Sequence, residues 1–241
     1  MRWIYLSPHL DDAALSAGGW IYDQTLAGNS VEIWTIMCGY PATEELSLFA
    51  QYLHHQWGMS TARQVVDGRR IEDKNAASIL GAKTFYFDFL DCIYRQDQNG
   101  DWLYFDIFTD PLPGEADLPA QIAQAISARL NPDDELVCQL GIGKHVDHVT
   151  VRRAAELLGR SLHYVADIPY YFNTPEHLEP NTAGMEKKVE RVSRAGVKSW
   201  KEAVLAYESQ ISALFKSPRA MRGQINRFVS EFGGMPFWGK G

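Results

Sequence analysis

The chain predicts a single α/β domain, a mostly parallel sheet with helices on both faces, of the Rossmann-like kind. Three observations predict it. Short β-rich runs alternate with stretches of helical periodicity along most of the length, the pattern of strand–helix–strand crossovers. The 241 residues, 46% hydrophobic, suffice for one sizeable core. No internal repeat, low-complexity stretch or linker breaks the chain, so the domain is expected to span 1–241.

The elements follow in order. Residues 2–7 are a short apolar run stopped by Pro8 and read as a buried strand. Residues 13–26 carry small and apolar side chains at helical spacing and stop at Gly28. Residues 31–37 form a β-rich run closed by Gly39. The stretch 40–60 is long and aromatic, a lid or a wall for a substrate. A helix over about 60–80 ends at Gly81, and 84–89 is an aromatic strand. Then come an amphipathic helix at 118–130, a strand at 135–140, a helix at 148–159 and a strand at 162–166. Glu186-Lys187-Lys188 and Glu190-Arg191 read as a solvated helix face, and 197–229 is mostly helical. The tail 232–238 is apolar and irregular; it packs over the domain or against a second copy, a hint of a homo-oligomer.

Composition removes several function classes. Lys and Arg total 23 against 30 Asp and Glu, a formal charge of −7. That balance opposes broad neutralisation of nucleic-acid phosphate and docking on an anionic membrane. Cys38, Cys92 and Cys138 lie far apart in apolar surroundings, as reduced core residues rather than a disulfide framework. No apolar run approaches the ~20 residues of a membrane span. The apolar start is too short for a signal peptide, so the chain reads as cytoplasmic.

In open α/β sheets ligands sit beyond the C-terminal ends of the strands. Two polar clusters fall there. After the first strand comes Ser7-Pro8-His9-Leu10-Asp11-Asp12. An imidazole and two carboxylates buried together need a compensating charge, which a divalent cation supplies. His9 and Asp12, three apart, can converge on it, leaving Asp11 as a general base for a water. The other reading is that an aspartate merely caps the helix starting near Ala13. A Gly-x-Gly-x-x-Gly dinucleotide fingerprint is absent here, since Gly18-Gly19 falls inside the helix.

The second cluster, Gly141-Ile142-Gly143-Lys144-His145-Val146-Asp147-His148, follows the strand at 135–140. One histidine can complete a three-ligand site with an open position. The other can donate to a leaving nitrogen or an oxyanion, with Asp147 orienting it and raising its pKa. A solvated loop capping the next helix is the alternative.

At these residues the chain resembles the LmbE-like / PIG-L de-N-acetylase family, whose members carry a His-x-Asp-Asp motif after the first strand and a later His-x-Asp-His motif. Here they read Pro8-His9-Leu10-Asp11-Asp12 and His145-Val146-Asp147-His148. Weaker similarity covers Arg69-Arg70-Ile71-Glu72 with Leu80-Gly81, Phe89-Leu90-Asp91, and Lys201 through Tyr207-Glu208-Ser209-Gln210. The resemblance implies Zn2+, or Fe2+ or another divalent ion, on His9, Asp12 and His148. It implies Asp11 as general base, His145 as electrophile or general acid with Asp147 as its partner, and Arg69 and Asp91 on substrate polar groups. The implied substrate is a small N-acylated sugar or glycoside, hydrolysed at its amide by a metal-activated water. The chain departs from common members around 40–60, which bears on the substrate rather than the chemistry.

Two other readings share these residues. Two histidines and a carboxylate are also the triad of non-haem Fe(II) oxygenases, though those favour β-barrels. A non-catalytic binding member of the fold is the second. Among the rest, His54 and His55 read as surface or loop residues, and His163 and His177 as structural. Trp34, Phe85, Phe87 and Phe89 read as core. Trp57, Trp102, Tyr104, Tyr170 and Tyr171 are candidates to stack on a sugar ring.

Overall fold

A computed structural model of the chain describes residues 1–239. Its strands are β1 (Arg2–Ser7), β2 (Ser30–Met37), β3 (Lys83–Phe89), β4 (Asp134–Gln139), β5 (Leu162–Val165), β6 (Glu186–Glu190) and β7 (Met235–Gly239). They form one sheet in the order β3-β2-β1-β4-β5-β7-β6. The first five run parallel, and β7 is antiparallel to both its neighbours. The central strands bury successive apolar residues, Ile4, Tyr5 and Leu6 in β1 and Ile33, Trp34, Ile36 and Met37 in β2. Such runs suit a sheet covered on both faces.

The helices are α1 (Asp12–Leu26), α2 (Leu48–Gln56), α3 (Ala62–Leu80), α4 (Leu118–Ser127), α5 (Val146–Leu157), α6 (Tyr170–Asn173), α7 (Leu178–Asn181), α8 (Arg194–Leu205), α9 (Glu208–Leu214) and α10 (Pro218–Phe232). From β1 the sheet grows one way through β2 and β3, then the chain returns to lay β4 on the other side of β1. Right-handed crossovers in opposite directions put their helices on opposite faces. Accordingly α1, α3 and α8 pack on one another, and α4 packs on α5. The reversal between β1 and β4 opens a crevice at their C-terminal ends.

Local chemistry sets the boundaries. Thr61 and Gln64 form a reciprocal capping box, so α3 starts at Ala62, and Gly81 closes it in a left-handed conformation at φ 72°. Gly18 and Gly19 let α8 approach α1. A Cβ on Gly18 would stand 2.6 Å from Trp200 Cδ1, and one on Gly19 2.8 Å from Val192 Cγ1. Trp200 is fully buried there and donates to Leu15 O at 3.0 Å.

Three expectations are corrected. The charged stretch at 186–190 is an edge strand, not a helix face. Its alternating charges fit a helix equally well, but pairing with β7 decides, and charges on an edge strand discourage further strand addition. The apolar tail is not irregular: it inserts as β7 between β5 and β6, burying Phe237 and Trp238. The feature that hinted at a second copy is therefore taken up by the chain's own sheet. His54 is neither surface nor loop: it is 1% exposed on α2, its Nε2 2.6 Å from Tyr94 Oη. That bond docks α2 on the segment after β3, where Ala50, Ile93, Tyr94, Tyr104 and Val146 form a satellite apolar cluster beside the crevice. Of the aromatics expected in the core, Trp34 and Phe87 are buried and Phe85 and Phe89 half-buried. The three cysteines are free and buried.

Candidate active site

The two polar clusters meet at the crevice between β1 and β4. After β1, Asp11 occupies the position before α1, yet its side chain makes no capping bond. Ser7 Oγ instead accepts the Ala13 N–H at 3.0 Å. The cap reading thus does not account for Asp11, and both carboxylates are left for the crevice. Asp12 Oδ2 accepts the His9 N–H at 2.8 Å and lies 3.2 Å from His9 Nδ1 and 3.3 Å from His148 Nε2.

After β4, Gly143 and Lys144 turn the chain at φ 88° and 61°. Gly143 also passes so close to Tyr170 that an added Cβ would stand 2.8 Å from Tyr170 Cβ. His145 then caps α5, its Nδ1 accepting the Asp147 N–H at 3.2 Å. A neutral ring accepting at Nδ1 carries its proton on Nε2. His148 falls in the first turn of α5, and its Nδ1 bonds Asp167 Oδ1 at 2.8 Å. Asp167 is fully buried and also accepts the Ile142 N–H at 2.9 Å.

Asp147 differs from the expected arrangement. Its carboxylate does not hold His145; it meets His9 Nε2 at 3.0 Å, the Cys92 N–H at 2.9 Å and Arg95 at 2.6 Å. Only its backbone N–H serves His145. The geometric cause is the N-cap itself, because a capping imidazole faces the first-turn amides rather than the first-turn side chains. The expected rise in the His145 pKa is also absent. Burial, then the neighbouring His9 and His148, holds that imidazole well below its ordinary value.

His9, Asp11, Asp12, Arg69, Asp91 and His145 line one pocket of about 290 Å³. His148 and Asp147 are buried and touch this group through Asp12 and His9. Arg69, 6% exposed, places Nη2 3.5 Å from Asp11 Oδ1 and its guanidinium 5.0 Å over the Trp57 ring. Asp91 Oδ1 accepts the Ile93 N–H at 3.2 Å, and Oδ2 lies 3.8 Å from His9 Nε2. Trp57 and Tyr170 line the pocket together with Phe108, Asn173 and Gln210. Tyr104 belongs instead to the satellite cluster, Tyr171 packs on Phe228, and Trp102 pairs with Gln96 in an isolated bridge. His163 pairs with Glu135, and His177 Nδ1 accepts the Gly143 N–H at 3.4 Å.

Sequence reasoning missed Asp167 and Arg95. Asp167 had a readable signal, an aspartate two residues past the end of β5. Arg95 had none, since it lies in an irregular segment where no pattern marks a buried guanidinium.

The residues fit a divalent cation. One ligand atom each from His9, His145 and His148 lie within 4.8 Å of one another. His148 Nε2 is buried and close to Asp12 without an aligned hydrogen bond. Although burial opposes it, Asp12 and Asp167 raise the His148 pKa to about 9. Asp91, Asp12 and Asp147 likewise raise that of His9 against its burial. The carboxylates around both rings therefore favour positive charge at this point, which a metal ion supplies. Nitrogen and oxygen donors of this kind suit zinc and similar ions. Two overlapping groups, Cys92 with His145 and Asp147, and His9 with Asp91 and Asp147, are less available, because the Asp147 oxygens are committed.

Fold and site together define a class: α/β proteins that gather imidazole and carboxylate donors for a cation at the switch point of a parallel sheet. The chain belongs to the PIG-L family, whose model, described as GlcNAc-PI de-N-acetylase, matches residues 4–158. It is 24% identical over 237 residues to the 2'-N-acetylparomamine deacetylase of Niallia circulans, covering 88% of this chain and 82% of that protein. Among solved structures it is similar to a zinc-inhibited form of teicoplanin deacetylase, with 26% identity, 99% and 97% of the two chains covered and a TM-score of 0.87. An antimicrobial pseudoaglycone deacetylase superposes with 28% identity, 98% and 96% coverage and a TM-score of 0.79. The oxygenase reading is not supported, since the sheet is open and mostly parallel rather than a barrel and the matching family model is described as a de-N-acetylase. No described helix is long and apolar enough to cross a membrane.

Proposed function

We propose that the chain is a zinc-dependent N-deacetylase that hydrolyses an N-acetyl amide on an aminosugar-type substrate, giving the free amine and acetate. The observation that carries this reading is the convergence of His9 Nδ1 and His148 Nε2 on Asp12 Oδ2, with the Asp11 carboxylate beside them free of the helix cap and paired with Arg69 at 3.5 Å. Zinc held by His9, Asp12 and His148 would polarise the amide carbonyl and make water acidic enough to deprotonate near neutrality. Other divalent ions, Fe2+ among them, suit the same donors.

The chain's own residues supply the proton movements. Asp11 takes the proton of the attacking water. Burial, then the charge of Asp12, pushes its pKa up to about 7, while Arg69 opposes the rise. Asp11 is the base at neutral pH, where Arg69, and a cation if one were bound, would favour its ionised form. His145, neutral and protonated on Nε2, donates to the amide oxygen as negative charge develops there. The proton held by Asp11 then passes to the departing nitrogen. Trp57, Phe108 and Tyr170 offer ring faces to a sugar, and Arg69 and Asp91 offer a donor and an acceptor to its polar groups.

The aminosugar assignment draws on the relatives' substrates and on the mixed aromatic and polar lining of the pocket. The reading of 1–241 as one domain draws support, among the described residues 1–239, from β7 closing onto β5 and α9 supplying Gln210 and Leu214 to the pocket. The buried free cysteines fit a reducing cytoplasm. The test is amine release from a panel of N-acetylated aminosugars by the zinc-loaded protein. Asp11→Asn is expected to keep its metal and lose on the order of 10²–10⁴-fold in rate. Near-wild-type turnover in that variant removes Asp11 as base, and no amine release from any panel member by the wild type removes the function.

A further inference from the structure

Arg95 does not line the pocket, yet it is tied to the residues that do. The side chain is 7% exposed. One Nη1 donates to Asp147 Oδ1 at 2.6 Å and to Leu90 O at 3.2 Å. Nε forms an ion pair with Glu115 at 2.7 Å, and the Tyr104 ring lies 5.1 Å from the guanidinium carbon. Asp147 in turn reaches both histidines at the pocket: its carboxylate meets His9 Nε2 at 3.0 Å, and its N–H meets His145 Nδ1 at 3.2 Å.

We propose that Arg95 is a positioning residue for the metal centre, acting through Asp147 to fix the ring and tautomer of His9. The inference rests on the reading of His9, Asp12 and His148 as the ligands. An imidazole can offer Nδ1 to a cation only if its proton sits on Nε2, and an acceptor must hold it there. Asp147 is that acceptor. A carboxylate buried among neutral groups is itself costly. Arg95 offsets its charge and holds one oxygen, so that the other stays on His9. His148 has a simpler version of the same device, the fully buried Asp167 braced by a backbone N–H. Glu115 and Tyr104 brace Arg95 from the long excursion between β3 and α4, the same excursion that brings Phe108 to the pocket. Arg95 thereby joins a pocket wall to a ligand.

The measurement is the zinc dissociation constant of the metal-free full-length chain, by competition with a chromophoric chelator, beside the thermal unfolding of each metal-free variant. Wild-type protein that takes up no zinc overturns the ligand reading itself, before any variant is compared. Given wild-type binding, Arg95→Met is expected to weaken zinc by about 10–100-fold, the usual cost of losing a group that orients a ligand. Arg95→Lys, which restores charge but not the fork, is expected to recover part of that loss. Asp147→Asn is expected to match Arg95→Met. The double variant is expected to be no weaker than Asp147→Asn by more than about twofold, because both act along one path. Zinc affinity within about twofold of wild type in folded Arg95→Met, or losses that multiply in the double variant, overturn the proposal. Should Arg95→Met not fold, Arg95→Lys combined with Asp147→Asn gives the same comparison.

Discussion

Asp73 sits buried on α3, its two oxygens accepting from Tyr207 at 2.7 Å and Tyr86 at 3.0 Å. Burial pushes its pKa up to about 6, and the two phenol donors only partly offset this. The folded value therefore lies above the unfolded one. The protonated form is the one the fold prefers, so its contribution is fully present below about pH 4 and is lost as pH rises through about 6. Asp73→Asn is expected to remove that part of the pH dependence. Chemical denaturation at pH 4 and pH 7 should show a wild-type-minus-variant change of up to about 3 kcal/mol between the two. An unchanged difference would mean that burial does not raise the Asp73 pKa above its unfolded value. At this scale the motifs told which residues gather at the crevice, but not which atom of each meets which partner. Asp147 shows why: Asp147 next to His145 in sequence suggests that the two side chains pair, while the first turn of α5 sends the carboxylate to His9 and Arg95.

At the scale of elements, α1 and α10 illustrate how one substitution changes sign with its surroundings. Gly18 in α1 faces Trp200 at 2.6 Å from the position of an added Cβ, whereas Gly223 in α10 has no atom within 4 Å. Gly223→Ala is expected to stabilise the protein by about 0.5–1 kcal/mol through helix propensity alone. Gly18→Ala gains the same propensity but displaces a buried indole, an overpacking cost of about 1–3 kcal/mol, so it is expected to destabilise. Equilibrium unfolding of the two variants checks the pair; a stabilised Gly18→Ala would show that α8 yields without cost. The parallel half of the sheet was legible, because buried strands and their intervening helices each have a local pattern. The edge was not. Residues 186–190 carry no apolar alternation, and the strand that makes them β lies at the far end of the chain. The same holds for His54, whose burial depends on Tyr94 from another segment.

For the whole molecule, the consequence lies in how the two motif loops are joined. One follows β1 and the other follows β4, adjacent strands separated in sequence by most of the matched family region. The carboxylates and imidazoles they bring together are nearly all buried. Without a cation, the fold must bury Asp11, Asp12, Asp147 and Asp167 near each other, offset by Arg69, Arg95 and the protonated His9 and His148 rings, a costly arrangement of desolvated charge. Unfolding separates them. A cation that binds only the folded chain therefore stabilises it by mass action, about 4 kcal/mol at a thousandfold excess over its dissociation constant. For a chain of this size that corresponds to roughly 8–16 °C in melting temperature. Wild-type protein stripped by chelator and titrated with zinc is expected to show this rise, in proportion to the logarithm of free zinc. His148→Ala is expected to lose both the bound metal and the rise, and it leaves Asp12 and Asp167 buried without their shared imidazole. A melting temperature indifferent to zinc in the wild type would mean that the two loops are held together by the sheet alone, and an equal rise in His148→Ala would mean that zinc stabilises the fold without that imidazole.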